Sequence, residues 1–98
     1  MTENIYPQQK TFIIQTIKKI FPEAKIYAFG SRISGDAKTY SDLDLALDLQ
    51  GEVSFNQLAI LRQAFSESDI PFHVDIIDFH QVNDEFKKII LQSSYVWE

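Results

Sequence analysis

Gly30-Ser31, ten further residues, Asp42-Leu43-Asp44, and a later Asp75 within Val74-Asp75-Ile76 are the residues of this 98-residue chain whose types and spacing could do chemistry. Gly30 closes a β-prone run and has no Cβ, so an anionic oxygen can approach its main chain, while Ser31 adds a hydroxyl and an N–H to the same turn. Asp42 and Asp44 are two residues apart on a strand, so their carboxylates leave on one face, about 6 to 7 Å apart at Cα. Carboxylate oxygens of this kind suit Mg²⁺ or Mn²⁺, which fills its other positions with water and substrate phosphates. Two such ions can activate an attacking hydroxyl and neutralise a leaving pyrophosphate. Asp75 is the best-placed third carboxylate. Without a cation, three crowded acids raise the proton affinity of at least one of them.

Taken singly, each part is ordinary: a Gly-Ser pair makes turns, and an alternating Asp-Leu-Asp strand makes a solvated sheet face. The combination carries the inference. Arg32, next to Ser31, suits either a triphosphate or a salt bridge to a nearby acid. Lys38 and Tyr40 read as ordinary loop residues, and Asp48, about 13 Å along the strand from Asp44, reads as solvated. Asp78, offset by three from Asp75, should face the other way and be structural. His73 and His80 lack the spacing of a zinc site and read as surface histidines.

These residues need elements to hold them. Phe12, Ile13, Ile17, Ile20 and Phe21 fall at helical spacing between Tyr6-Pro7 and Pro22, predicting a first helix. Lys25 to Phe29 predicts a buried strand ending at Gly30, followed by a polar loop to Ser41. Leu43, Leu45, Leu47 and Leu49 alternate with Asp42, Asp44, Ala46 and Asp48, predicting a strand with one buried face. Gly51 breaks it, and Ser54 caps a second helix over about Phe55 to Glu67. Phe72 to Phe79 reads as a third strand. Asn83 caps a last helix with Phe86, Ile89 and Ile90 on its buried side. Tyr95-Val96-Trp97 either packs back on the core or faces a partner. The order predicts an α/β (α+β) fold, a small mixed sheet with helices packed on one face, as one domain over residues 1–98.

Composition narrows the function classes. Fourteen acidic and nine basic residues give a net charge of -5, which opposes bulk nucleic-acid binding and makes any triphosphate chemistry dependent on divalent cations. There is no cysteine, so no disulfide or thiolate metal site forms; nor is there a leader-like start or an apolar run of membrane-spanning length. A cytoplasmic protein without membrane contact is expected.

Gly30-Ser31, ten residues, then Asp42-x-Asp44 resembles the signature of the minimal nucleotidyltransferases of the DNA polymerase β-like superfamily. The run from Ala64 to Pro71, followed by Val74-Asp75, is similar to stand-alone bacterial domains of that group. The resemblance covers nearly the whole chain and implies a palm-like core. Asp42, Asp44 and Asp75 would be the metal-binding catalytic carboxylates, with Gly30 and Ser31 on the β- and γ-phosphates and Arg32 nearby. It further implies a HEPN-type four-helix-bundle partner in a toxin–antitoxin pair, with AMP moved from ATP to a partner tyrosine. The alternative is a weakly active or non-catalytic antitoxin that binds nucleotide and masks its partner by contact.

Overall fold

The computed structural model describes residues 5–30, 42–49 and 54–97. The first helix, α1 (Pro7–Ile20), starts where Pro7 supplies a pre-set φ and Tyr6 N–H donates to Gln9 Oε1 at 3.1 Å. It buries Ile13 and Ile17 completely. The chain then forms β1 (Lys25–Phe29) and β2 (Leu43–Asp48), which pair antiparallel with Phe29 opposite Asp44. A second helix, α2 (Phe55–Ser66), is capped by Ser54 Oγ accepting from Asn56 N–H at 3.1 Å. It is the crossover that a parallel strand pair requires, and it leads to β3 (Val74–Asp78) beside β2. A short 3₁₀ turn (Phe79–Gln81), α3 (Asp84–Ser93) and the two-residue β4 (Tyr95–Val96) complete the order. Asn83 Oδ1 caps α3 by accepting from Phe86 N–H at 2.8 Å.

The sheet runs β3-β2-β1-β4 and is mixed, as the element order implied. On one face Ile26 and Ala28, Leu43, Leu45 and Leu47, and Val74 and Ile76 meet Ile13 and Ile17 of α1 and Leu61 and Phe65 of α2. Leu45 lies at the centre of this layer with no exposed surface. Leu45→Ala should therefore cost about 2 to 5 kcal/mol, read as a lowered urea midpoint with an unchanged slope. For a domain this small that is a large share of its stability.

One expectation is corrected. Helices were expected on a single face, yet α3 lies on the opposite one, where Ile90 packs with Tyr27, Ala46 and Phe79. The reason is local. Tyr27 and Ala46 are register partners pointing away from the main core, and both are nearly or wholly buried. The second face thus has an apolar patch around Tyr27 and Ala46, which Ile90 of α3 and Phe79 of the 3₁₀ turn cover. Of the apolar residues assigned to the buried side of α3, Ile90 alone is fully enclosed. Phe86 meets Phe29 edge-on at 5.8 Å, and Ile89 is 56% exposed.

The strand at the C-terminal end was not foreseen, because two residues carry no periodicity. Trp97 N–H donates to Ile26 O at 2.8 Å and the indole is buried in the main core, which decides its alternatives in favour of packing. Asp48 is not simply solvated: its Oδ1 lies 2.5 Å from His80 Nε2. Asp78 is structural, accepting from His80 N–H at 3.0 Å.

Candidate active site

The face left open by α3 holds the acids. Asp42 stands immediately before β2 and Asp44 two residues on, so the strand's period of two sends both side chains to that face. Parallel pairing then sets Asp75 directly across from Asp44, about 4.8 Å away between strand axes. The structure thus brings the three sequence-selected aspartates to one end of one sheet face. Asp42 and Asp75 are exposed, and Asp44 is half-buried between them.

The electrostatic consequence falls on Asp44. Burial first, then the Asp75 carboxylate, then that of Asp42, push its pKa above the ordinary 3.8, while His73 pulls it down. His73 lies two residues before Asp75, on the same side of its strand, and is exposed. Sequence reading set it aside as a surface histidine; its same-face spacing from Asp75 was the signal for proximity.

Gly30 is held closer than the sequence implied. Antiparallel register places it just past Phe29, the partner of Asp44, and its φ of +91° lies in the region that glycine tolerates and other residues rarely adopt. A Cβ built there would overlap Asp44 Oδ2 and lie 3.1 Å from Asp44 Cγ. The glycine therefore makes room for the central carboxylate as well as for any anion at the turn. Ser31 and Arg32, the other two residues selected for nucleotide binding, lie outside the described residues, as do Lys38 and Tyr40.

Among the described residues, no three acids, histidines or cysteines are gathered closely enough to hold an ion by themselves. Mg²⁺ sites commonly use one or two carboxylates, with substrate phosphates and water as the other ligands. The donor set is all oxygen, and the raised proton affinity of Asp44 marks negative charge that a cation would relieve. Beside Asp75, a cavity of about 300 Å³ opens at the β3 edge, lined in part by Arg62, Phe72 and His73. Nothing in the linear pattern pointed to Arg62.

Comparison with known proteins gives the family and the fold. Residues 13–97 match the family described as polymerase beta, nucleotidyltransferase. Over 79 residues the chain is 43% identical to the Haemophilus influenzae protein named "Probable protein adenylyltransferase MntA", covering 80% of this chain and 69% of that one. A crystal structure of a toxin–antitoxin with AMP-PNP superposes with a TM-score of 0.79 at 21% identity, over 91% of this chain and 72% of the other. A Shewanella oneidensis complex of tri-AMPylated HEPN toxin with MNT antitoxin gives 0.72 at 20% identity, over 93% and 70%. With its strand-borne acids, its glycine turn and a family match spanning most of its length, the chain belongs to the polymerase beta nucleotidyltransferase family.

Proposed function

We propose that this protein moves a nucleotidyl group, AMP from ATP, onto a hydroxyl of a HEPN-type helical-bundle protein in a toxin–antitoxin pair, in a Mg²⁺-dependent reaction. The observation that carries the chemistry is the parallel register of Asp44 with Asp75, next to Asp42 and the Gly30 turn. The acceptor class is supported by the adenylyltransferase relative and by the AMPylated complex of similar fold.

In this reading Gly30, with Ser31 and Arg32 assigned by spacing alone, holds the β- and γ-phosphates at the end of β1. Asp42 and Asp44 would hold Mg²⁺ (or Mn²⁺), and Asp75 would share the ion on the acceptor side. The metal supplies charge neutralisation at the phosphates and a lowered barrier to ionising the hydroxyl. The acceptor oxygen attacks the α-phosphorus, the bond to the bridging oxygen of the β-phosphate breaks, and pyrophosphate leaves. Asp75, exposed on the edge strand, favours loss of the hydroxyl proton. These carboxylates would orient the reactants, and positioning supplies most of the rate in such transfers. The absence of cysteine suits a reducing cytoplasm.

The test uses the protein, a HEPN-type protein encoded beside it, Mg²⁺ and ATP labelled at the α-phosphate. Label should appear on the partner, vanish with EDTA, and vanish with Asp42→Asn while circular dichroism stays unchanged. Neutralisation of the partner without label, surviving Asp42→Asn, would favour masking by contact and defeat the transfer reading.

A further inference from the structure

Phe29 is the last residue of β1, directly before Gly30, and as the register partner of Asp44 it sends its ring to the face that carries the acids. Phe86 of α3 meets it edge-on, with ring centroids 5.8 Å apart, and stays 38% exposed. Ile89, three residues on, is 56% exposed, and residues at that spacing share a helix face. The two side chains make a short apolar strip that begins at the half-buried Phe29 ring. Its carrier is well anchored, because Asn83 caps the helix and Ile90 is buried in the cluster with Tyr27, Ala46 and Phe79. That cluster is already closed, so the exposed parts of Phe86 and Ile89 add nothing to it. The sheet order and the charge of the face narrow what the strip could hold. Asp44 is flanked on this face by Asp75 of β3 on one side and Phe29 of β1 on the other. With Asp75 assigned to the acceptor, the nucleoside is left the side where Phe29 and Phe86 stand. A nucleobase is flat and uncharged, so the three aspartates do not repel it, and ribose ties it to the phosphates assigned to the Gly30 turn.

We propose that Phe86, supported by Phe29, is the stacking platform for the base of the bound nucleoside triphosphate, with purines favoured; this rests on the nucleotide reading above. Stacking on an aromatic ring is tolerant of base identity, because every base has a π-face. The side chains of Phe86 and Ile89 hold no hydrogen-bonding atom, so the strip sorts bases by ring area and not by the groups on their edges. ATP and GTP are then held alike, and both more tightly than CTP and UTP. Phe86 touches the base and not the reacting phosphorus. It is therefore a specificity residue, whose loss raises the KM for the nucleotide and leaves kcat nearly unchanged.

The test titrates the full chain calorimetrically with ATP and, separately, with inorganic tripolyphosphate, each in Mg²⁺. Phe86→Ala should weaken ATP binding about tenfold, equivalent to about 1.4 kcal/mol, and leave tripolyphosphate binding unchanged. Phe86→Leu keeps an apolar contact with Phe29 but removes the π-face; it should also weaken ATP, and it serves should the alanine variant misfold. Phe86→Trp should hold ATP at least as tightly as the parent, and GTP should follow ATP in every variant. ATP affinity indifferent to both the alanine and leucine variants would overturn the proposal. So would equal losses of ATP and tripolyphosphate, which would make the ring a support for the phosphate turn and nothing more. Loss of affinity for the helical-bundle partner with ATP binding intact would give the strip to that partner and overturn the proposal as well. ATP binding that depends on Phe86, in a protein that transfers no label, would keep the platform and remove the transfer reading. Label transfer with an unchanged KM for ATP in Phe86→Ala would do the reverse.

Discussion

Asp44→Asn abolishes nucleotidyl transfer, lowering kcat by at least about 10³-fold, and at the same time stabilises the metal-free protein. Both outcomes follow from the position of Asp44 between Asp42 and Asp75. The substitution removes the central oxygen ligand proposed for Mg²⁺, and it also removes the charge that burial, Asp75 and Asp42 disfavour. The sign of the pH dependence follows. Asp44 has a folded pKa above its ordinary 3.8, so between those values the folded state binds more protons than the unfolded state. Its contribution to stability is greatest below the ordinary value and is lost as pH rises through the raised one. Thermal melts of the metal-free protein, run from about pH 4 to pH 7, should show that decline in the parent and a flatter profile in Asp44→Asn. Mg²⁺ added at the upper end should raise the melting temperature of the parent by mass action and affect the variant much less. Retained transfer, or a variant less stable than the parent at every pH, would remove Asp44 from the centre of the site.

Gly30→Ala is expected to cost roughly 1 to 3 kcal/mol and about 10²-fold in transfer rate. Two penalties meet at this residue. Its φ of +91° strains any side-chain-bearing residue, and the new methyl would collide with Asp44 Oδ2. Moving either group misplaces the carboxylate relative to Asp75 and the turn. The penalties can be separated because only the second depends on Asp44. In an Asp44→Ala background the collision disappears and the backbone strain remains, so Gly30→Ala should destabilise less there than in the parent. A double-mutant cycle from urea unfolding measures the difference. Additive costs would mean that the two residues do not touch.

The close packing of Gly30 on Asp44 bears on how the site is built. The glycine of such a turn is usually explained by the anion it admits, but here it meets a structural demand before any ligand is considered. Because β1 and β2 pair antiparallel, the residue after Phe29 must pass beside the side chain opposite Phe29, which is Asp44. An anion held at the turn would therefore lie next to the proposed metal ligands, a proximity that phosphate chemistry on a divalent ion requires.

By itself the sequence determined the local facts: a helix over the Ile13 and Ile17 face, the strand alternation that sends Asp42 and Asp44 the same way, the caps at Ser54 and Asn83, and a glycine at a strand end. Each depends on neighbours within a few residues, where periodicity and capping chemistry act. Asp75 could be nominated by type, but its place opposite Asp44 is a property of strand register, which long-range pairing sets. The same holds for α3 on the second face, for β4 returning to β1, and for Arg62 reaching the edge of β3. Those arrangements were decided only by tertiary structure, because they depend on which buried surfaces remain to be covered once the first layer has packed, and no window of adjacent residues contains that information.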